Sequence, residues 1–285
     1  MSLFRKPIIH PPPSRNSNPF ATRFFTPGAI PFYFDRVPLV SSENQSALRE
    51  NSPEHQQAIF DALLSQIFAG QFNSQGERWE RPNSKSTARD RSNRPKRCSC
   101  FAIVGPHGTG KSTLLAQLEQ AILETYSHRS CQSLFLNSSS SSRQSLTRAL
   151  RLLKTSSICL IDGFEQLPKW GQTLCVWTAK SLHRKLIATS HVLPKGFVPL
   201  WNTQMSPEIE RYVIGQLLNN VPAVESEDDL EQRSSNFKNR ELLELLLQSE
   251  EWKISRAKHR ENLRESLFDM YDWWGNRVDE IPGNR

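Results

Sequence analysis

The sequence predicts an α/β fold over residues 98–204, in which a parallel β-sheet is flanked by helices. Two observations carry this prediction. Short apolar runs alternate with stretches of helical spacing, which is typical of parallel strands joined by crossover helices. After Asn202 the strand-like runs stop, while helical patterns continue to Trp274, so residues 205–285 are predicted to form a small C-terminal α-helical unit.

The elements of the core are predicted in order along the chain. The expected strands are the apolar runs CSCFAIVG, SLFLN, ICLID, KLIATS and FVPLWN. The expected helices are STLLAQLEQAILETY and the stretches 144–154 and 172–184. Because the strands are short and almost wholly apolar, we expect them to be buried on both faces of the sheet.

The C-terminal unit begins with a helix signal, since Ser206 can cap a helix whose first residue is Pro207. A polar, acidic break follows, and then two further helical stretches over 239–252 and 257–274. The last stretch ends in an aromatic group, Tyr271, Trp273 and Trp274. This group suits either a partner surface or the core of the unit, and a core is favoured.

Residues 1–75 form an arm rich in proline and aromatic residues that ends in one helix. The helix is predicted over 54–69 because Ile59, Leu63 and Ile67 recur at helical spacing. The aromatic part of the arm suits either a strip that covers the folded body or a segment that flanks a bound base. Residues 76–97 are polar and basic with few apolar residues, which predicts a disordered linker.

Charge and cysteine usage narrow the function classes. The net charge is +7, and residues 1–100 hold 14 Lys and Arg against 8 Asp and Glu. Because the excess of positive charge lies in a linker rather than on a folded face, it gives only weak support to a nucleic-acid partner.

No apolar run approaches the roughly 18 residues of a membrane span. The five cysteines lack metal-ligand spacing, so we expect buried, reduced thiols in a cytoplasmic protein.

The most specific motif is Gly105-Pro106-His107-Gly108-Thr109-Gly110-Lys111-Ser112, which matches GxxxxGK[ST] between a predicted strand and a predicted helix. In such a phosphate-binding loop, or Walker A motif, glycines let backbone N–H groups surround phosphate oxygens, and the helix N-terminus adds its dipole. We expect Lys111 to reach the β- and γ-phosphates of ATP and Ser112 to bind Mg²⁺. Thr113 is expected to meet the α-phosphate.

Polar residues also end two later strands. Asp162 ends the run ICLID, at the strand end where open α/β sheets bind ligands, and is expected to hold Mg²⁺ through water. Glu165 is the candidate for polarising the attacking water, with helix capping or solvent exposure as the alternative. Thr189, ahead of Ser190, is the candidate for sensing the γ-phosphate, whereas His191 is assigned no ligand role.

These features resemble the additional-strand class of P-loop ATPases. The helical C-terminal unit is similar to the lid of AAA+ ATPases, and Glu261-Asn262-Leu263-Arg264-Glu265 resembles their second-sensor motif. The resemblance implies that Arg264 folds over the γ-phosphate; a solvent-facing Arg on an amphipathic helix is the alternative. The run Asp162-Gly163-Phe164-Glu165 departs from the adjacent acids of AAA+ proteins and is closer to the STAND signalling ATPases.

Residues and resemblance together predict an ATP-binding protein that hydrolyses ATP with Mg²⁺ and thereby switches its helical lid toward an unidentified protein partner. Two alternatives stay open. The missing second acid beside Asp162 favours a nucleotide-dependent binding or switch module without hydrolysis. A small-molecule kinase is less favoured, because no Arg-rich mobile lid lies between Leu167 and Lys185.

Overall fold

The computed structural model describes residues 30–34, 53–68, 99–125, 130–137, 141–219 and 242–279. These residues belong to two compact units. The sheet unit comprises the described parts of 36–105 and 115–202, and the loop–helix unit those of 1–35, 106–114 and 203–285. Residues 1–29, the predicted linker 76–97 and Cys98 lie outside the described residues. The domain boundaries 1–75, 76–97, 98–204 and 205–285 stay predictions.

The sheet unit is built on five parallel strands within the described residues. They are β1 (Cys100–Val104), β2 (Cys131–Phe135), β3 (Ile158–Asp162), β4 (Lys185–Ser190) and β5 (Val198–Asn202). Their order is β2-β3-β4-β1-β5, and every neighbouring pair is parallel. The predicted α/β class and parallel sheet are thereby confirmed. Since β4 lies between β1 and β3, the carboxyl ends of these three strands are adjacent.

Helices precede and follow these strands. They are α1 (Pro53–Phe68), α2 (Lys111–Thr125), α3 (Ser142–Thr155) and α4 (Lys169–Ser181), with a short 3₁₀ turn (Phe164–Gln166) after β3. Ser141 caps α3 by accepting a hydrogen bond from the Gln144 N–H. Helix α4 starts at Lys169, three residues before the predicted 172, because Pro168 supplies an extended N-cap conformation.

The three central strands, β1, β3 and β4, are buried on both faces, as their apolar sequences predict. The prediction is wrong for the edge strands β2 and β5, which keep exposed residues such as Phe135 and Val198. One face packs with α3 and α4 into a cluster that includes Cys159, Ile161 and Ala188 from the strands with Leu153 and Ala179 from the helices. The residues that alternate with them point to the opposite face and are equally buried: Phe101, Ile103, Leu160 and Ile187. This double burial fixes the strand ends from which the site residues extend.

The loop–helix unit contains four further helices in the described part of the chain. They are α5 (Pro207–Asn219), α6 (residues 242–248), α7 (Glu250–His259) and α8 (Leu263–Asp279). Helical structure is interrupted at two places where the predicted helical stretches 239–252 and 257–274 expect continuous helix, or expect helix to begin. Ser249 ends α6 and caps α7 by accepting from the Trp252 N–H, and Arg260 takes a left-handed φ of +49° before α8 begins. At both places the local backbone conformation ends the helix, although the apolar residues of the sequence keep helical spacing.

The core of the loop–helix unit is formed by its helices. Ile214, Leu246, Leu267, Trp252 and Trp274 are among its buried members. Of the predicted aromatic group, Trp274 belongs to the core and Trp273 packs partly buried against it, whereas Tyr271 is exposed. Residues 30–34 pack on this unit: Ile30 touches the helical cluster, and the Tyr33 ring stacks on Tyr212 with centroids 4.7 Å apart. Burial, with the neighbouring Tyr33, raises the pKa of Tyr212.

None of the helices described by the structure is long and apolar enough to cross a membrane.

Candidate active site

The glycine-rich loop joins β1 directly to α2. Gly108 and Gly110 have φ values of +73° and +86°, a region that residues with a side chain rarely adopt. A Cβ on Gly108 would lie 2.1 Å from Asn262 Oδ1, and a Cβ on Gly110 would lie 3.0 Å from the Phe32 ring. Both positions therefore require glycine, for backbone conformation and for space.

Side chains of the loop close its turn. Lys111 Nζ donates to the Pro106 carbonyl at 2.5 Å, and the Thr109 hydroxyl donates to the same oxygen at 2.9 Å. Thr109 also lies 2.6 Å from the Thr203 hydroxyl. Because Thr109 gives its proton to Pro106, Thr203 is the donor of this second bond. The loop is thus linked to the first residue of the C-terminal segment within the loop–helix unit.

Asp162 and Thr189 end the neighbouring strands β3 and β4. The register pairs Ile161 with Ala188, so Asp162 and Thr189 follow side by side. The Thr189 hydroxyl donates to Asp162 Oδ1 at 2.5 Å and accepts from the Gly163 N–H at 2.9 Å. The structure therefore brings these two predicted residues together, and the Thr189 proton is committed to holding the Asp162 carboxylate.

Glu165 lies on the 3₁₀ turn after β3, with its side chain 25% exposed. Its Oε1 is 3.1 Å from His191 Nε2, and His191 Nδ1 is 3.2 Å from the Gly105 carbonyl. Its other oxygen, Oε2, is buried and has no hydrogen-bond partner among the described residues. The N-cap residue of α4 is Pro168, whose side chain makes no capping hydrogen bond.

The start of the loop is held from the end of β4. The Gly105 N–H donates to the Ser190 carbonyl at 3.2 Å, and the Gly105 carbonyl meets His191. Ser190 is the second candidate for sensing phosphate, and in the structure its backbone carbonyl holds the start of the loop. The sequence assigns no role to His191; its position directly after the strand that ends in Thr189 and Ser190 is the signal that places it beside the loop.

Arg264 is exposed in the first turn of α8, where its guanidinium lies 5.5 Å from the Phe268 ring centroid. The residue of the predicted second-sensor run that meets the loop is Asn262, whose Oδ1 faces Gly108 and accepts from the Glu265 N–H at 3.4 Å. Spacing alone did not single out Asn262. A role for Arg264 at the γ-phosphate stays a prediction.

The residues of the loop fit the phosphates of a nucleoside triphosphate with Mg²⁺. Its glycines are irreplaceable by geometry, and it leads into α2, whose first N–H groups have no partner within the helix. Lys111 supplies a cation and Ser112 a hydroxyl. Within the described residues no cluster of three or more His, Cys, Asp and Glu is suited to a metal. This is compatible with Mg²⁺, which keeps water and phosphate ligands and needs few from protein.

Comparisons with known proteins add little to this picture. No protein-family model matches the chain, and no curated protein matches it. Sixteen chains of solved structures match. One is C. elegans PCH-2, with a TM-score of 0.34 and 15% sequence identity, over 65% of this chain and 63% of that chain. The match therefore spans less than two thirds of that protein's length.

The class assignment consequently rests on the molecule itself. A parallel sheet of order β2-β3-β4-β1-β5, with a GxxxxGK[ST] loop between β1 and the following helix, is a P-loop NTPase-like core.

Proposed function

We propose that this protein binds ATP with Mg²⁺ and hydrolyses it. The observation that carries the proposal is the GxxxxGK[ST] loop between β1 and α2, with Gly108 and Gly110 in conformations that residues with a side chain rarely adopt. In this proposal the backbone of 105–110 and Lys111 bind the phosphates, while Thr113 contacts the α-phosphate. Phosphate binding then replaces the bond from Lys111 to Pro106.

The strand ends supply the remaining chemistry of the proposal. Ser112 and Asp162 hold Mg²⁺, which when bound neutralises phosphate charge, and Thr189 keeps the Asp162 carboxylate in place. Glu165 accepts the proton of the attacking water. This assignment is supported by the position of Asp162 and Thr189 at adjacent carboxyl ends of β3 and β4.

A second candidate function is a nucleotide-dependent binding module with negligible turnover. The observation in its favour is Gly163, which occupies the place where a second acid would follow Asp162. It differs from the first proposal in one respect only, since it requires nucleotide binding but no hydrolysis.

Equilibrium ATP binding and phosphate release, measured side by side, test the proposal. Lys111→Ala is expected to weaken ATP binding at least about tenfold, because a charged hydrogen-bond partner of the phosphates is lost. Glu165→Gln is expected to bind ATP like the wild type and to release phosphate about 100-fold more slowly. Asp162→Asn should lose the Mg²⁺ dependence of both measurements.

Lys154→Ala is the matched control. Lys154 is exposed in the last turn of α3, which leads to the amino end of β3, away from the carboxyl edge that holds Asp162. Its removal should leave both measurements unchanged. Wild-type protein that binds ATP without releasing phosphate would support the binding module, and wild-type protein that does not bind ATP would refute both candidates.

We also propose that nucleotide binding changes the conformation of the C-terminal helices, and that a protein partner reads this change. The proposal is supported by interactions inside the loop–helix unit, where Thr109 meets Thr203 and Gly108 meets Asn262. A role for Arg264 requires its side chain to leave the Phe268 ring. Hydrogen exchange of α7 and α8 with and without ATP tests the change: unaltered exchange would exclude it.

A further inference from the structure

His191 connects the candidate base to the phosphate-binding loop. One ring nitrogen, Nδ1, lies 3.2 Å from the Gly105 carbonyl, and the other, Nε2, lies 3.1 Å from Glu165 Oε1. Gly105 is the first residue of the loop, and Glu165 is on the turn after β3. The His191 imidazole therefore contacts both Gly105 and Glu165. Nothing in the spacing of the sequence relates residues 105, 165 and 191.

In this arrangement both groups that face the His191 ring, the Gly105 carbonyl and the Glu165 carboxylate, are hydrogen-bond acceptors. A backbone carbonyl only accepts, so Nδ1 must donate to Gly105. An ionised carboxylate also only accepts, so a bond from Nε2 to Oε1 needs a second N–H on the ring. A donating Nε2–H engages Oε1, so that His191 holds this oxygen of Glu165.

The other oxygen of Glu165 is left without a partner. Oε2 is buried and has no hydrogen-bond partner in the described part of the chain. A buried carboxylate oxygen in that state is costly, and such atoms call for an explanation such as a catalytic role. An orientation that engages Oε1 and leaves Oε2 to a small donor is the arrangement a general base needs.

We propose that His191 is a positioning residue that orients Glu165 for hydrolysis. The inference rests on the proposed ATPase function. His191 holds Oε1, so that Oε2 accepts a proton from the attacking water as the water oxygen bonds to the γ-phosphorus. The bond from that phosphorus to the bridging oxygen breaks, its electron pair stays on ADP, and the accepted proton passes from Glu165 to solvent. The Gly105 carbonyl, which meets Nδ1, fixes the His191 ring for this role.

Steady-state phosphate release and equilibrium ATP binding of the full chain test this role. For His191→Ala we expect kcat to fall about tenfold or more while KM and ATP affinity change less than about twofold, because the base is misoriented but the loop is intact. For His191→Gln we expect partial recovery of kcat, since its amide N–H can still donate to Oε1. Combining His191→Ala with Glu165→Gln should cost no more than Glu165→Gln alone, as expected of residues that act as one unit.

His183→Asn is the matched control. His183 is exposed after α4, at the amino edge of β4, and its φ of +54° is a conformation that Asn tolerates. It should leave kcat unchanged.

Three results would overturn the positioning role. They are an unchanged kcat in His191→Ala, a loss of ATP affinity that accounts for the whole defect, and independent, multiplicative effects of the two substitutions. If instead the wild type binds ATP and releases no phosphate, the hydrolytic function itself fails and this role fails with it. The rate of phosphate release by the wild type thus distinguishes failure of the positioning role from failure of the proposed hydrolysis.

Discussion

Gly163 is the residue that decides how this site differs from one with two adjacent acids. Its φ is +77°, and a Cβ built on it would lie 2.6 Å from the Leu136 carbonyl oxygen. Real Cβ atoms do not approach a backbone oxygen that closely. Position 163 is therefore closed to every side chain, so that in the proposed ATPase a second acid has to come from a residue further on, for which Glu165 is the candidate.

Gly163→Ala should consequently destabilise the protein by about 2 kcal/mol or more, since a left-handed conformation and a clash with rigid backbone both penalise a methyl group. Gly163→Glu, which would restore adjacent acids, should be at least as unstable rather than more active. Urea denaturation measures the effect.

Gly215→Ala is the matched control for that prediction. Gly215 lies within α5, and its added Cβ would meet only Leu243 Cδ2, at an ordinary 3.7 Å. This substitution should be neutral or stabilise by up to about 1 kcal/mol, because alanine favours helix. Equal effects of the two substitutions would show that the Leu136 carbonyl does not govern Gly163.

At the scale of elements, α7 and α8 are joined by one carboxylate. Asp269 of α8 accepts from Ser255 at 3.2 Å, from Lys258 at 3.1 Å and from His259 at 2.9 Å, all on α7. Partial burial acts to raise the pKa of Asp269, but the hydrogen bonds from Lys258, His259 and Ser255, with the charge of His259, together lower it below its ordinary value. The carboxylate form is thus favoured by the folded state.

The lowered pKa predicts a pH-dependent contribution to stability. It is fully present above the ordinary Asp pKa of about 3.9 and is lost as pH falls through the lower pKa of the folded state. Asp269→Asn should therefore be less stable than the wild type at pH 7, and the difference should shrink below about pH 4. Urea denaturation at several pH values provides the measurement.

Asp272→Asn controls for helix charge, because Asp272 is an exposed residue of the same helix. It should match the wild type at neutral pH. If Asp269→Asn and the wild type differ by the same amount at pH 7 and pH 3, the ion pairs around Asp269 do not stabilise the packing of α7 on α8.

The elements were largely predictable from the sequence, and the pairings between them were not. Strands such as Ile158–Asp162 and Lys185–Ser190 follow from uninterrupted apolar runs. The bond between Glu165 and His191 depends on β3 lying beside β4, which is a property of strand order and not of local pattern. The break at Ser249 was missed because a cap inside a long helical pattern competes with continuation, and local turn chemistry decides the outcome.

At the scale of the molecule, the reactivity of the thiols measures the unfolding of the sheet unit. Cys100, Cys131, Cys159 and Cys175 lie in β1, β2, β3 and α4, all in this unit, and none of the four forms a disulfide. Burial raises the pKa of Cys131, Cys159 and Cys175 to about 12, with a further increase from Glu119 at Cys131 and an opposing effect of Arg184 at Cys159. The prediction of buried, reduced thiols is confirmed for Cys100, Cys159 and Cys175, while Cys131 is only half-buried.

These pKa values predict that the folded protein resists thiol reagents. At pH 8 a thiol of pKa about 12 is ionised in about one molecule in 10⁴, whereas an unfolded cysteine of pKa about 8.5 is ionised in about a quarter. In a Cys98→Ser variant, which removes the thiol outside the described residues, the four remaining thiols should react only as the sheet unit unfolds. Mass spectrometry of labelled peptides then gives one rate for all four; earlier labelling of Cys131 would instead show local opening at β2.

The same labelling links the fold to the proposed ligand. A ligand that binds only the folded state slows unfolding-limited labelling, by a factor of about 1 + [ATP]/Kd when refolding outpaces modification. ATP with Mg²⁺ should therefore protect all four thiols together in the Cys98→Ser background, and the protection should vanish when Lys111→Ala is added. Because protection is measured without turnover, it tests nucleotide binding whether or not hydrolysis occurs. Equal labelling with and without saturating ATP would mean that nucleotide does not stabilise the sheet unit, and would contradict the predicted linkage.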